Sequence, residues 1–320
     1  MENDLKLVVV TGCLGFIGVQ VTRKCLQKGW KVLGIDKCTY VSNLDALSEF
    51  ENNKNFSFLK KDISDLNGLP DCDYIINLAA ESHVGNSIIN SDEFINSNVV
   101  GVKNLLEIIR LKPKNISDRP VLIHFSTDEV YGDIIDGEHH ETDLLHPSNP
   151  YSAAKASSDM LIFAWSRTYG IDYNILRPTN NYGTHQYHEK LIPISVRCLQ
   201  RGRKIRLHNQ GEPYRNWLHS EDTAEAVITI IEKGSRNEIY NISGGFEQKN
   251  RDTVKQIIES YFEEDVDWEQ YVDLDHVRQG QDVRYAVNDD KLRSLGWKPT
   301  KVFEQEIRQI VKFYKNRFRW

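Results

Sequence analysis

A turn with three spaced glycines lies between a short apolar run and an amphipathic segment near the start of the chain. The apolar run covers residues 5–10, the turn reads TGCLGFIG over residues 11–18, and the amphipathic segment covers residues 16–28. A second apolar, β-branched run follows at residues 31–36. This strand–turn–helix–strand order predicts a βαβ unit. Such units build parallel sheets with helices on both faces, so the turn strongly limits the possible folds.

Each glycine of the turn is expected for a different physical reason. Gly12 permits a backbone turn that a β-carbon would strain, Gly15 lets the backbone approach a pyrophosphate, and Gly18 lets helix and strand pack closely. The helix start offers free N–H groups and a favourable dipole to phosphate. Asp36 stands 18 positions after Gly18, where a carboxylate can bind the adenosine ribose and would repel the 2′-phosphate of NADP. The segment therefore predicts an NAD site.

Strands and helices continue to alternate as far as Pro178, after which loops lengthen. Further strands are expected at residues 56–60, 74–78, 121–126, 173–177 and 238–242, and helices at 91–111, 152–169, 223–233, 252–262 and 301–314. We predict an α/β fold with a Rossmann-type, doubly wound parallel sheet and a smaller C-terminal α/β substrate-binding domain. The expected boundaries are 1–177 for the cofactor domain, with a return around 216–242, and 178–320 mainly for the substrate domain.

Composition excludes several classes of protein. The net charge of -6, with scattered Lys and Arg, does not favour a nucleic-acid partner. No apolar run approaches the ~20 residues that span a bilayer, and the start of the chain lacks the pattern of a secretory signal. The five cysteines include no CxxC pair, so neither a disulfide framework nor a metal site is expected. We expect a cytoplasmic protein without membrane contact.

Tyr151 and Lys155 form a YxxxK pair just after Pro150. Their spacing places both side chains on one face of the predicted helix. A tyrosine is a poor base at neutral pH because its usual pKa is about 10. A lysine ammonium nearby is expected to lower the pKa of Tyr151. The pair could then remove a hydroxyl proton while hydride leaves the same carbon.

A second pair of reactive groups lies at the carboxyl end of the strand predicted at residues 121–126. Asp128 and Glu129 are adjacent within STDEVYG, residues 126–132. Ligands of doubly wound sheets bind at these strand ends. Two carboxyl groups there suit acid–base chemistry in which one is protonated while the other is ionised.

These motifs together resemble the dTDP-glucose 4,6-dehydratases and the UDP-glucose 4,6-dehydratases, which are NAD-dependent extended short-chain dehydrogenase/reductases. The resemblance covers nearly the whole chain, and STDEVYG is its specific element. It is also carried by motifs in the following order: LAAESHV (78–84), PYSAAKASSD (150–159), NNYG (180–183), EKLIP (189–193), RNWLHSED (215–222) and LGWKP (295–299).

The resemblance implies a reaction in which an NDP-glucose becomes an NDP-4-keto-6-deoxyglucose and water. Tyr151 would take the proton of the 4-hydroxyl, with Thr127 hydrogen-bonded nearby, as hydride moves from C4 to NAD. Glu129 would then remove the C5 proton and Asp128 would protonate the departing 6-hydroxyl. Hydride would finally return to C6. NAD is regenerated in each turnover and is expected to stay tightly bound.

The resemblance also implies the contacts of the two ligands. The expected catalytic residues are Thr127, Asp128, Glu129, Tyr151 and Lys155. Cofactor contacts are expected from Gly12, Gly15, Phe16, Ile17, Gly18, Asp36, Asp62, Ile63, Leu78, Ala80, Ser97, Tyr151, Lys155 and Asn181. Substrate contacts are expected from Ser82, Thr127, Asn180, Lys190, Leu191, Arg206, His208, Arg215, Asn250 and Arg278. A homodimer is also implied, in which segments 91–111 and 152–169 of both subunits form a four-helix bundle.

Some alternatives stay open at the level of sequence. The stretch Arg206 to His208 differs from the residues usual in this family near the base, so thymidine and uridine are both possible. An epimerase or decarboxylase would keep NAD and YxxxK, but would not need Asp128 and Glu129 together. A protein that binds NAD without catalysis would be expected to lose Tyr151, Lys155 or one of the acids.

Overall fold

The computed structural model describes residues 6–112, 119–277 and 282–317. Its strands, numbered in chain order, are β1 (Leu7–Thr11), β2 (Lys31–Asp36), β3 (Phe56–Lys60), β4 (Tyr74–Asn77), β5 (Val121–Phe125), β6 (Tyr173–Pro178), β7 (Asn180–Tyr182), β8 (Ile205–His208), β9 (Tyr214–His219), β10 (Glu238–Ile242), β11 (Phe246–Lys249) and β12 (Val272–His276).

The helices of the described residues surround and connect these strands. They are α1 (Phe16–Gln27), α2 (Leu44–Glu51), α3 (Val84–Ile89), α4 (Asp92–Ile95), α5 (Gly101–Leu111), α6 (Pro150–Tyr169), α7 (Leu191–Gln200), α8 (Ser220–Lys233), α9 (Asn250–Phe262), α10 (Asp290–Ser294) and α11 (Phe303–Asn316). Where such a helix was expected from the sequence, its position is confirmed to within a few residues.

Seven parallel strands form the central sheet in the order β10-β6-β5-β4-β1-β2-β3. The strand order reverses direction at β1, which pairs with β2 on one side and β4 on the other. A crevice for ligands opens at such a reversal, outside the carboxyl ends of the strands. The predicted doubly wound Rossmann-type fold is confirmed.

The sheet is buried on both faces because its strands consist mostly of apolar residues. Val8 and Val10 of β1 belong to the core under α1 and α8, whereas Val9 belongs to the core under α5 and α6. All three side chains are fully buried. This alternation follows from the two-residue period of a strand. It explains why β1 has no polar side until its last residue, Thr11.

The C-terminal part of the chain adds two small sheets beside the central one. Their orders are β11-β9-β7 and β12-β8. The sequence did not predict β7, β8, β9, β11 or β12, because these strands have three to six residues and carry mixed polar and apolar side chains. In contrast, β10 returns to the central sheet and pairs with β6. The division at residue 178 stays a prediction.

The helix expected over residues 91–111 is interrupted. It consists of α4, a π-helical turn (Asn96–Val100) and α5. At the junction, Gly101 packs so closely on Ile63 that a β-carbon would lie 2.7 Å from that side chain. Single π turns of this kind are frequent at functional sites, and Ser97, a predicted cofactor residue, lies within it.

The long helix α6 begins and ends with strong local signals. The Asn149 side chain accepts a hydrogen bond from the Ser152 backbone N–H, and Pro150 occupies the first turn. Gly170 ends the helix with φ of 69°, a conformation that glycine adopts at little cost. These caps fix the start of α6, and therefore the position of Tyr151, relative to the central sheet.

Candidate active site

The glycine turn between β1 and α1 is packed as tightly as its sequence requires. Gly12 has φ of +67°, and a β-carbon there would lie 2.7 Å from the Ala79 backbone nitrogen. A β-carbon on Gly18 would lie 2.0 Å from the Gly12 carbonyl oxygen. Gly15 caps α1 without any side-chain hydrogen bond. The first N–H groups of α1 are therefore available to an anion, as a pyrophosphate site requires.

An open cavity lies beside this turn, at the carboxyl ends of β1, β2 and β4. Eight of the predicted cofactor residues line it: Gly12, Gly15, Asp36, Asp62, Ile63, Leu78, Ala80 and Ser97. They come from several separate segments of the chain, and the fold brings them to one place. The cavity also contains residues that the sequence analysis did not select, among them Lys37, Thr39, Lys61 and Glu81.

Asp36 is held in place by the loops around the cavity. Its Oδ2 accepts from the Leu14 backbone N–H at 3.1 Å, and its Oδ1 accepts from the Cys38 backbone N–H at 2.8 Å and the Ser42 hydroxyl at 2.9 Å. A carboxylate can accept about four hydrogen bonds. One acceptor position is thus left for a ribose hydroxyl.

Lys37 is the main residue of this cavity that sequence reasoning missed. Its Nζ lies 2.9 Å from a carboxylate oxygen of Glu81, 3.8 Å from Asp62 and 3.1 Å from the Ser97 hydroxyl. The acidic neighbours raise its pKa, although burial acts in the opposite direction. Its place directly after Asp36, at the end of a strand that borders the site, could have indicated it.

The remaining predicted cofactor residues are not among those that line the cavity. Ile17 packs against the main core. The ring of Phe16 would lie 3.3 Å from a β-carbon on Gly183, so it touches the segment that follows β7. Asn181 is engaged inside the protein: its Oδ1 accepts from the Thr223 hydroxyl at 2.5 Å. Its assignment to the cofactor stays a prediction.

The acidic pair lies in a short 3₁₀ turn (Asp128–Val130) that follows the end of β5 after two intervening residues. Asp128 is only 2% exposed, and its Oδ2 has no hydrogen-bond partner among the described residues. Burial and the charge of Glu129 raise the pKa of Asp128 to about 8. Burial also raises the pKa of Glu129, but Arg215 and Lys190 oppose that shift. The surroundings of Asp128 therefore favour its protonated, neutral form.

Thr127 connects the acidic turn to the tyrosine. Its Oγ1 donates to Asp128 Oδ1 at 3.2 Å and accepts from the Glu129 backbone N–H at 3.3 Å. A hydrogen-bonding interaction of Thr127 also lowers the pKa of the Tyr151 phenol. The fold thus brings together the residues predicted to carry the two halves of the chemistry.

Tyr151 and Lys155 are buried on the inner face of α6, with 9% and 3% exposure. Burial and the carboxylate of Glu129 raise the pKa of Tyr151 well above its usual value. Burial lowers the pKa of Lys155 to about 8. The expectation that Lys155 lowers the pKa of Tyr151 is wrong for this structure, because burial dominates and the lysine ammonium donates to the Phe125 carbonyl.

The predicted substrate residues fall into two groups. Lys190 and Arg215 act electrostatically on Glu129, and Lys190 Nζ donates to the Ser82 carbonyl at 2.9 Å. The Arg215 guanidinium lies 5.0 Å from the ring centre of Tyr285. The other group lies on α7 and β8: Leu191 begins α7, and Arg206 and His208 are exposed on β8.

Two buried amide oxygens remain unpaired near these residues. Asn180 Oδ1 and Asn250 Oδ1 have no hydrogen-bond partner within the described part of the chain. A buried polar atom without a partner is costly, so such atoms are suited to a ligand. Arg278, also predicted to bind substrate, lies outside the described residues.

Ranges 6–112, 119–277 and 282–317 contain no group of three or more His, Cys, Asp or Glu side chains that could hold an ion. In the same ranges, no helix has the length and apolarity needed to cross a bilayer.

Comparison with known proteins places the chain in a family. Residues 9–310 match the sequence model described as GDP-mannose 4,6 dehydratase. The dTDP-glucose 4,6-dehydratase of Escherichia coli is 37% identical over 98% of this chain and 94% of its own length. The enzyme of that name from Haemophilus influenzae is 38% identical over 96% and 97%.

A solved structure agrees with these relatives. The dTDP-glucose 4,6-dehydratase from Streptomyces venezuelae, crystallised with NAD bound, is 34% identical, covers 97% of both chains and superposes with a TM-score of 0.89. Fold and site together define an extended short-chain dehydrogenase/reductase that carries an added acidic pair. The chain belongs to the nucleotide-sugar 4,6-dehydratase family that includes the dTDP-glucose 4,6-dehydratases.

Proposed function

We propose that this protein is an NAD-dependent nucleotide-sugar 4,6-dehydratase, a lyase that converts an NDP-glucose to the NDP-4-keto-6-deoxyglucose and water. The observation that carries this proposal is the buried pair Asp128 and Glu129 beside Tyr151 and Lys155. A 4-epimerase of the same fold needs the tyrosine and lysine but has no elimination to perform. In such an epimerase, the burial of Asp128 would cost free energy without a function that explains it.

The residues of the cofactor cavity fit NAD. The close glycine packing at Gly12 and Gly18 leaves no room for side chains in the turn, and the N-terminus of α1 has no side-chain cap. Asp36 keeps an acceptor position for a ribose hydroxyl. When bound, NAD would supply hydride chemistry, as the acceptor of a hydride from C4 and its donor to C6 within one turnover.

The oxidation of the sugar at C4 depends on Tyr151, Thr127 and Lys155. Tyr151 takes the proton of the 4-hydroxyl in its phenolate form, which a hydrogen bond of Thr127 favours although burial opposes it. The positive charge of the nicotinamide ring would favour that phenolate when NAD is bound, and Lys155 supplies a second positive charge on the same helix face. Because these groups are nearly excluded from solvent, their electrostatic interactions are stronger than they would be in water.

Glu129 and Asp128 carry the elimination. The 4-ketone acidifies the C5 proton, which Glu129 removes in its ionised form. Asp128 donates its proton to the 6-hydroxyl, which then leaves as water. The pKa of Asp128 of about 8 keeps this group protonated at neutral pH, as a general acid requires.

The finer features of substrate binding follow from charge and shape. Lys190 and Arg215 bind the diphosphate, since a guanidinium fork can bind two phosphate oxygens at once. Asn180 and Asn250 offer unpaired amide groups to sugar or nucleotide. The names of the relatives favour thymidine as the base. The cofactor binds mainly to residues 1–177 and the substrate mainly to residues 178–320.

A direct turnover assay tests the function. Purified protein without added cofactor is mixed separately with dTDP-glucose, UDP-glucose and GDP-mannose, and the products are followed by NMR. A 4-keto-6-deoxy product supports both the chemistry and tightly bound NAD, and the relative rates identify the base. A product that keeps its 6-hydroxyl, such as the 4-epimer, would overturn the proposal.

The assembly is proposed to be a homodimer formed through α4 and α6. Their outer faces expose Ile95 (46%) and Met160 (49%), and Ile89 of the neighbouring α3 is 85% exposed. Large exposed apolar groups that cluster on adjacent helices are typical of an interface.

Light scattering tests this assembly. The wild-type protein should be a dimer, and Met160→Asp should convert it to a monomer. The control Ile135→Asp changes an 80% exposed residue in a loop, and equal behaviour of both variants would contradict this interface.

A cytoplasmic location is proposed from the cysteines. All five are free, and Cys13 and Cys25 are buried. Free thiols persist in reducing compartments. Fractionation of source cells with an antibody to this protein should find it with cytoplasmic markers, and a membrane or secreted fraction would contradict the proposal.

A further inference from the structure

Two buried ionic residues lie behind the catalytic groups and take no part in the chemistry proposed above. Asp159 is 0% exposed and Arg177 is 1% exposed. Arg177 Nη2 and Nε both donate to Asp159 Oδ2, at 2.9 and 3.2 Å. The second oxygen, Oδ1, has no hydrogen-bond partner among the described residues. A buried ion pair with an unsatisfied oxygen contributes little to stability, so another reason for its presence is needed.

Asp159 connects α6 to the end of β5, the strand that precedes the turn of Asp128 and Glu129. It follows Tyr151 and Lys155 at intervals of four residues on α6, so the three side chains lie on one helix face. The Ser126 hydroxyl donates to Asp159 Oδ2 at 3.1 Å. Ser126 directly precedes Thr127, the first residue of the acid–base segment.

Arg177 connects to the other end of the same segment. Its Nη1 donates to the Tyr131 hydroxyl at 2.7 Å, and its guanidinium carbon lies 4.7 Å from the centre of that ring. The Tyr131 hydroxyl in turn donates to Asn241 Oδ1 at 2.9 Å. Tyr131 directly follows the turn that carries Asp128 and Glu129. The acid–base turn is therefore held at both ends by one ion pair.

We propose that Arg177 is a positioning residue. It fixes the acid–base turn, Asp128–Val130, against α6, the helix that carries Tyr151 and Lys155. It acts through Tyr131 at one end of the turn, and through Asp159 and Ser126 at the other. The inference rests on the proposed function, in which Tyr151 acts at C4 while Glu129 and Asp128 act at C5 and C6 of one sugar. Groups on two separate elements must then hold a fixed mutual placement, to within about 0.5 Å.

A weakened connection should affect the two halves of the reaction unequally. Tyr151 and Lys155 keep their place, since α6 is anchored by its own cap at Asn149. The turn with Asp128 and Glu129 loses one of its two anchors. Oxidation at C4 should therefore persist while loss of water slows, and a 4-keto sugar that still carries its 6-hydroxyl should accumulate.

The test compares Tyr131→Phe and Ser126→Ala with a matched control. Tyr240→Phe removes another buried tyrosine hydroxyl, which accepts from the Ser235 backbone N–H at 3.0 Å. Tyr240 lies next to Asn241 on the edge strand β10, but its side chain points to the opposite face of the sheet. Rapid quenching and mass spectrometry separate the unreacted sugar, the 4-keto sugar with its 6-hydroxyl, and the dehydrated product. Thermal unfolding is measured on all variants.

In both test variants the elimination should slow roughly 10- to 100-fold, as misplacement by about 1 Å can do, with the 4-keto intermediate detectable. Unchanged turnover without that intermediate would overturn the proposal. So would an equal loss in Tyr240→Phe, or a fall of both steps in proportion to lost stability. If wild-type protein converts no nucleotide sugar at all, the proposed function itself fails. Normal wild-type turnover with normal Tyr131→Phe and Ser126→Ala kinetics refutes only the role of Arg177.

Discussion

Glu129 lies next to Asp128 in a buried turn, and its charge adds to burial in raising the pKa of Asp128 to about 8. The reverse effect is not among the main causes of the Glu129 shift, where Arg215 and Lys190 favour the ionised form. Burial raises the pKa of both adjacent carboxyl groups, but a neighbouring carboxylate adds to the shift of Asp128 whereas Arg215 and Lys190 oppose that of Glu129. Such a difference assigns the acid to Asp128 and the base to Glu129.

Replacing Glu129 by Gln should separate oxidation from elimination. The variant keeps Tyr151 and Lys155, so C4 oxidation continues, but nothing removes the C5 proton. We expect loss of water to fall by about 10²- to 10⁴-fold, the usual contribution of a general base. Exchange of the C5 hydrogen with deuterated solvent, followed by NMR, measures that step directly. Wild-type exchange in the variant would refute the role of Glu129.

Replacing Asp128 by Asn should remove a pH dependence from both activity and stability. The wild-type acid works in its protonated form, so elimination should decline as pH rises through about 8. The folded pKa lies above the usual 3.8, so stability from the bound proton is present near pH 4 and is lost as pH rises to 8.

The variant should therefore be inactive in elimination and, at pH 8, more stable than wild type by on the order of 1–3 kcal/mol. Urea denaturation at pH 5 and pH 8 measures the difference. An advantage for Asp128→Asn that is equal at both pH values, or absent at pH 8, would contradict a raised pKa at this position.

Much of the central sheet could be predicted because it is encoded locally. The run at β2 was assigned to residues 31–36, which are its observed limits. Buried parallel strands are continuous apolar runs, and glycines, prolines and caps separate them from helices. In contrast, β7 and β9 pair across a gap of more than thirty residues and have no such run. Their pairing depends on tertiary contacts that a local pattern does not contain.

The site was predictable where chemistry requires adjacent residues. Asp128 with Glu129, and Tyr151 with Lys155, are visible as motifs. Arg177 was not, because its role depends on contacts with Asp159 and Tyr131, which are 18 and 46 positions away. The raised pKa of Tyr151 was also beyond sequence reasoning, since burial determines it more strongly than its lysine neighbour.

The glycine turn can be tested by adding a single methyl group. In Gly18→Ala the β-carbon would lie 2.0 Å from the Gly12 carbonyl oxygen, so α1 must move away from β1. We expect a loss of about 1–3 kcal/mol in unfolding free energy and a purified protein depleted of NAD. Cofactor content after denaturation and the midpoint of urea unfolding measure the two effects.

The control for this change is Gly68→Ala, at a position with no atom within 4 Å of a new β-carbon. That variant should keep both cofactor and stability. Full NAD content in Gly18→Ala would show that the turn does not bind the pyrophosphate. Equal losses in the two variants would point to a general effect of the substitution.

Lys155 offers the clearest distinction between a catalytic and a structural charge. Lys155→Met shortens the side chain by one atom and removes a buried ammonium group, whose pKa burial lowers to about 8. Because an ammonium is costly to bury, the stability of the variant should equal or exceed that of wild type, whereas C4 oxidation should fall by about 10²-fold or more.

Lys291→Met is the control for this change. Lys291 also donates to a backbone carbonyl, that of Ile239 at 2.7 Å, but on β10 away from the site. Its loss should leave turnover unchanged. Oxidation at the wild-type rate in Lys155→Met, whatever the stability of the variant, would show that the charge is structural.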